Sequence, residues 1–159
     1  MAVQEAGLST LGIKLGYGVE TVAGEKPSSF SWLERCNNIG GLELSTETID
    51  ASALEDLVSR SIAGRQDSGG TWNVTFNYTA EVSAQLKAMV AAYNTGKASG
   101  LKTWFEVWIP SASDAFFIVA QPPQKLPMPE FGQNALLTIQ IGLAIEEYKG
   151  ELTAIEPVG

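Results

Sequence analysis

Between Thr71 and Thr79 every second residue is apolar. Trp72, Val74, Phe76 and Tyr78 fall on one side of an extended chain. Thr71, Asn73, Thr75, Asn77 and Thr79 fall on the other. A second segment repeats the pattern, with Leu137, Ile139, Ile141, Leu143 and Ile145 set against Thr138, Gln140, Gly142, Ala144 and Glu146. Side chains of a strand alternate between faces, so period two with one wet face specifies an antiparallel sheet covered on one side only. No other feature narrows the fold as far. "LKTWFEVWIP" places Phe105, Val107 and Ile109 opposite Trp104, Glu106 and Trp108, which predicts a strand covered on both faces. "DAFFIVAQ" reads as a short apolar strand. "LGIKLGYGVE", "SSFSWLE" and "GLELST" are weaker strand candidates.

One segment has helical period instead. In "AEVSAQLKAMVAAYNTG" the residues Val82, Leu86, Met89, Val90 and Tyr93 share a stripe. Thr79 is a suitable N-cap, Glu81 suits the positive end, and Gly96 suits the stop. The expected fold is therefore mainly β, an antiparallel β-sandwich or barrel with one flanking α-helix over about 80–95. All 159 residues fit one domain. Residues 150–159 read as a polar C-terminal arm.

Chemistry is excluded more readily than assigned. "DSGG", Asp67 to Gly70, has the letters that surround a trypsin-like nucleophile, but the chain has no histidine, so Ser68 lacks the base of a Ser–His–Asp site. Asp, Ser and two glycines are what a turn needs. A single cysteine, Cys36, allows no internal disulfide and no cysteine metal cluster. GxGxxG, P-loop and EF-hand spacings are absent. The pairs Glu55/Asp56 and Glu146/Glu147 are adjacent, so their side chains diverge and do not form an acid–base couple. No cofactor, metal or enzymatic activity is expected. A net charge of −8 argues against a surface that grips phosphates. No apolar run is long enough to span a membrane. "MAVQEAGLST" lacks the features of a signal peptide, so folding in a reducing cytoplasm is expected. Trp104 and Trp108, on one strand face, leave a carbohydrate-binding module as a rival from another class, although core packing explains them as well.

Two connections are long. Gln121 to Gln133 contains Pro122, Pro123, Pro127 and Pro129, which favour extended chain. Ser45 to Gly70, "STETIDASALEDLVSRSIAGRQDSGG", is a projecting loop unlike a disordered linker, because Ile49, Leu54, Leu57, Val58 and Ile62 sit among its charges. Ser52 and Glu55 fit a capping box, so one or two helical turns are expected there, with Leu54, Leu57 and Val58 on one face. The apolar residues either fold back on their own sheet or are buried on another chain. Each burial is worth about 1.5–3 kcal/mol before ordering costs.

The order "ETIDASALEDLVSRSIAGRQDSGGTWNVTFNYT" resembles the major tail protein, or tail tube protein, of long-tailed bacteriophages. The resemblance rests on Glu47, Ile49, Asp50, Ser52, Leu54, Asp56, Ile62, Gly64 and Gly69, followed by the alternating strand. It extends over residues 8 to 150 and is specific in the central 35 or so. Ser52 stands where threonine is common, and the proline-rich loop is not part of the pattern. What the resemblance implies is a structural virion protein of the tail, assembled in the host cytoplasm. Six copies would form a ring, and rings would stack into the tube through which DNA is ejected. The partners implied are further copies of the chain, with tape measure and tail terminator proteins. DNA would pass without specific binding. Carried over by position, 45–70 is the stacking loop, with Ile49, Asp50, Leu54, Leu57, Val58 and Ile62 as inter-ring contacts. Asn73, Thr75, Asn77, Thr138, Gln140 and Glu146 are candidates for the channel wall, although a wet face fits the outside of a tube equally. A secretion-system-type tube or a tail-completion protein is the alternative within the same class.

Overall fold

The computed structural model describes residues 11–42, 45–55, 57–67, 70–110 and 112–157. Asp56, Ser68 and Gly69 of the motifs above lie outside the described residues. The chain forms an antiparallel β-sandwich or barrel with one helix. Its strands are β1 (Lys14–Val19), β2 (Ser31–Leu33), β3 (Cys36–Ile39), β4 (Ser45–Asp50), β5 (Ser61–Asp67), β6 (Thr71–Asn77), β7 (Thr103–Trp108), β8 (Asp114–Gln121) and β9 (Thr138–Thr153). The helix, α1, spans Ala80–Ala98 between β6 and β7.

Seven strands make one sheet in the order β2-β1-β7-β8-β9-β6-β3, with every neighbouring pair antiparallel. β2 and β3 occupy opposite edges of that sheet, yet only Glu34 and Arg35 separate them in sequence. Three residue steps reach about 10 Å at most. The sheet must therefore roll until its edges nearly meet. Arg35 makes the corner with φ at +59°, and its carbonyl accepts the N–H of Asn77 at 2.8 Å.

Rolling turns one face inward. Leu15, Trp72, Val74, Phe76, Phe105, Ile118, Ile139, Ile141 and Leu143 form the buried core, and α1 supplies Val82, Leu86, Met89 and Val90 to it. The stripe read from the sequence is thus the packing face of the helix. Thr79 caps it as expected, its hydroxyl accepting from the Val82 N–H at 3.2 Å. The stop lies further on than expected, at Ser99, whose N–H bonds back to the Gly96 carbonyl. Gly96 is inside the helix for a packing reason: an added Cβ would lie 2.6 Å from Val19 Cγ1.

A smaller apolar cluster covers the outer face of β7 and β8. Trp104, Ala115, Phe117 and Val119 are buried there beneath Phe30, Leu152 and Ala154. The expected arm from Gly150 begins later than the sequence implied. β9 continues through Thr153, pairing Leu152 with Ala115 and Thr153 with Asp114. The next residues stay attached, with Ala154 N–H on the Ser113 carbonyl at 3.1 Å.

Candidate functional site

The segment from Ser45 to Asp67 is a hairpin, with β4 and β5 forming a separate two-stranded sheet. Ser45 pairs with Asp67, Ile49 with Ile62 and Asp50 with Ser61, and the register shifts between Thr46 and Thr48. Among the described residues the helical turns expected around Ser52 do not form. Leu54 and Glu55 lie in a turn, and Leu57 and Val58 in a bend. Ser52 closes the neck of the hairpin instead. Its hydroxyl accepts from the Arg60 N–H at 2.7 Å and donates to the Arg60 carbonyl at 3.3 Å. Its own N–H donates to Asp50 Oδ1 at 2.9 Å. Bonds from the Ser52 backbone, and then from its side chain, hold the Asp50 carboxyl below its ordinary pKa. An Asp–x–Ser element is local turn chemistry of this kind, with two short polar side chains replacing backbone bonds.

Beyond that neck the apolar residues have nothing over them. Leu54 and Leu57 are fully exposed, Val58 is 77% exposed, and Ile49 and Ile62 are about half exposed, at 52% and 56%. The hairpin does not fold back to cover these residues on its own sheet. Of the six proposed contact residues, Ile49, Asp50 and Ile62 lie on paired rungs, and Leu54, Leu57 and Val58 crown the tip.

The hairpin is rooted in the rolled sheet. Gly40 N–H bonds the Asn73 carbonyl at 2.9 Å, and Trp72 Nε1 donates to the Gly40 carbonyl at 2.6 Å. Trp72 is itself locked edge-on against Phe105, with ring centroids 6.1 Å apart. Beside this root one end of the barrel opens into an apolar hollow of about 630 Å³, lined by residues including Ile39, Leu42, Trp72, Val107, Phe116 and Tyr148. Cys36 is on its rim, and burial pushes the thiol up to about 11. That is a poor nucleophile at neutral pH. Among the described residues no group of three or more His, Cys, Asp or Glu side chains is placed to hold a metal ion. No helix there is long and apolar enough to cross a membrane.

The candidate channel residues divide. β6 and β9 pair Asn73 with Gly142, Thr75 with Gln140 and Asn77 with Thr138. These five polar side chains share the face opposite Trp72, Val74 and Phe76, outside the core. Glu146 stands apart. The register of β8 and β9 shifts next to it, from Ala120–Ile145 to Val119–Glu147. Its carboxylate meets the Gln121 amide and lies 3.7 Å from Lys102 Nζ. Alternation could not place Glu146, because a bulge changes the phase of a strand without leaving a mark in its hydrophobic pattern.

The two tryptophans also divide. Trp104 is 3% exposed, with Nε1 on Glu20 Oε2 at 3.0 Å, so it offers no free ring face to a sugar. Trp108 is half-buried, edge-on to Trp32 at 6.4 Å.

No known protein family matches the sequence, and no curated protein is similar to it at a significant level. Solved structures do match by shape. One is a chain from the cryo-EM structure of the anti-feeding prophage baseplate, determined with six-fold symmetry applied. That chain superposes with a TM-score of 0.53 over 96% of this chain and 98% of its own length, at 11% identity. The likeness is one of fold, and it runs essentially end to end.

Proposed function

We propose that this chain is a structural subunit of a phage-type tail, without catalytic role, which forms rings that stack into the tail tube. The observation that carries this reading is the hairpin tip. Leu54, Leu57 and Val58 stand in solvent on a hairpin held in shape by Ser52 and Asp50. Exposed apolar clusters on ordered supports are interaction sites. Burying the three on a neighbour would contribute several kcal/mol per subunit before ordering costs, at about 1.5–3 kcal/mol each. In the proposed stack the tip meets a different surface of the next ring, a head-to-tail contact that generates a stack with no closed end.

Further support comes from the sheet edges. Among the described residues β2 and β3 have a ladder partner on one side only, and pairing such edges across subunits is a general route to ring closure. A ring of six is the copy number proposed, in keeping with the six-fold symmetry of the baseplate structure that holds a chain of the same fold. In such a ring the uncharged face of Asn73, Thr75, Asn77, Thr138 and Gln140 would line the channel. A net −8 on each subunit lets DNA slide without being gripped.

A second reading shares every feature except the repeat. The same fold in a baseplate chain favours a single ring at the end of a tail, where the hairpin would meet a different protein. Electron microscopy of the purified protein separates the two. Tubes that fail to form in the Leu54→Ser/Leu57→Ser/Val58→Ser variant support stacking of identical rings. Isolated rings in both proteins favour the end-of-tail role. A monomer at all concentrations, with no ring in either protein, would count against both.

A further inference from the structure

Glu106 is a carboxyl without access to solvent: its residue is 0% exposed. It sits on β7 between Trp104 and Trp108, facing outward into the small cluster under the C-terminal segment. Gly16 is its neighbour on β1 and Phe117 its neighbour on β8. Oε2 accepts the Ile155 N–H at 3.1 Å. Oε1 is buried with no hydrogen-bond partner among the described residues. The backbone held by this carboxyl is the strap that covers the face: Leu152 and Ala154 pack on Trp104, Phe117 and Val119.

The charged groups around the site are few. From the β1–β2 connection comes Lys26, whose ammonium donates to the Thr153 carbonyl at 2.9 Å and lies 4.9 Å from the Phe117 ring centroid. At the end of β1, the Glu20 carboxylate is saturated by the N–H groups of Gly24, Lys102 and Trp104 Nε1. From β9, Lys149 lies over the Trp104 ring at 5.3 Å. β8 contributes Ala115, Phe117 and Val119, none of which titrates. A charge on Glu106 therefore has one N–H and the attraction of Lys26 to offset complete burial.

We infer that Glu106 is a pH-sensitive latch, holding the strap from Leu152 to Ile155 shut while protonated and loosening it once ionised. Desolvation raises its pKa to about 7, opposed by the Ile155 bond and by Lys26. In the open strap water reaches the carboxyl, and its pKa returns towards the ordinary 4.5. The sign follows from linkage. Stabilisation of the closed strap is fully present below the open-state value and is lost as pH rises through the closed-state value. Between pH 5.5 and 8.5 those two values make opening about 30-fold more favourable. Opening removes Leu152 and Ala154 from the Trp104–Phe117 cluster and leaves Phe30 as its remaining apolar cover.

The test is amide exchange of Ile155 and Ala154 in the full chain from pH 5.5 to 8.5, corrected for the intrinsic base dependence of exchange. The opening constant should rise about 30-fold in the native protein and stay flat in Glu106→Gln. Equal profiles in the two proteins would overturn the latch. Should Glu106→Gln fold poorly, ¹³C-carboxyl NMR of the native protein decides. The Glu106 carboxyl and the Ile155 amide should share a midpoint near 7, and a Glu106 midpoint below 5 overturns the inference. Neither readout depends on ring or tube formation.

Discussion

The rolled sheet and the β4–β5 hairpin are built from the same kinds of residue and treat them in opposite ways. On β6 the apolar side chains point to one face, and Trp72, Val74 and Phe76 are all within 2% of complete burial. On the hairpin Ile49 faces Ile62 across a rung, and both remain about half exposed. The sheet meets its own need for burial by rolling on itself and packing against one stripe of α1. A two-stranded ribbon has no second layer of its own and is marginal in isolation. The difference shows where the monomer is complete and where it is not. The sheet body buries its own core, whereas the hairpin leaves Leu54, Leu57 and Val58 uncovered, which is what the proposed interface requires.

That contrast can be broken in graded ways. The largest effect should come from Trp72→Ala, which removes a buried ring and the bond that ties the hairpin root to Gly40. A loss of about 3–5 kcal/mol is expected, measured by urea unfolding of the unassembled protein. A loss below about 1 kcal/mol would mean that the root of the hairpin is not part of the core. Next is Cys36, at the rim of the hollow. With its thiol near 11 against an ordinary 9.0, alkylation at pH 8 should run about 10-fold slower than for an unperturbed thiol, the smaller thiolate fraction being partly offset by the greater nucleophilicity of a more basic thiolate. Labelling at the ordinary rate would show the seam between β3 and β6 to be open to water. The smallest effect should come from the triple serine variant of Leu54, Leu57 and Val58. Its unfolding free energy should match the parent within about 0.5 kcal/mol, because exposed side chains contribute little to the folded monomer. A large destabilisation would show that the tip is packed within its own subunit.

Legibility in the sequence followed the same division. β6 and the first half of β9 could be read residue by residue, because one face of each is wet and the period is unbroken. The stripe and cap of α1 were legible for a similar reason: a helix on a sheet needs one apolar side. Gly96 was misleading, since glycine marks both helix ends and close approaches, and here Val19 demands the latter. β3 was missed because "CNNI" pairs along one side only, at a seam. β5 and most of β4 were missed, beyond the Ser45 and Thr46 that "GLELST" reached, because a ribbon outside the main sheet has no buried face to impose alternation, and Ser52 with Glu55 imitated a helix cap. The apolar content of the tip was visible throughout. Its exposure was not, because whether a loop folds back depends on tertiary context. Covering of both faces of β7 was legible from its tryptophans, but the burial of Glu106 was not, because the group that meets its carboxyl, the Ile155 N–H, lies 49 residues away in sequence.

Leu54 offers the most direct measurement. In a Leu54→Cys/Cys36→Ser variant the new thiol is exposed at the hairpin tip and is the one cysteine of the sequence. Its alkylation rate should be that of a free thiol in the unassembled protein, and at least 100-fold slower in assembled particles, where a neighbouring copy covers the tip. Equal rates in the two states would mean that the tip is never covered, and that the hairpin is not how these subunits hold one another.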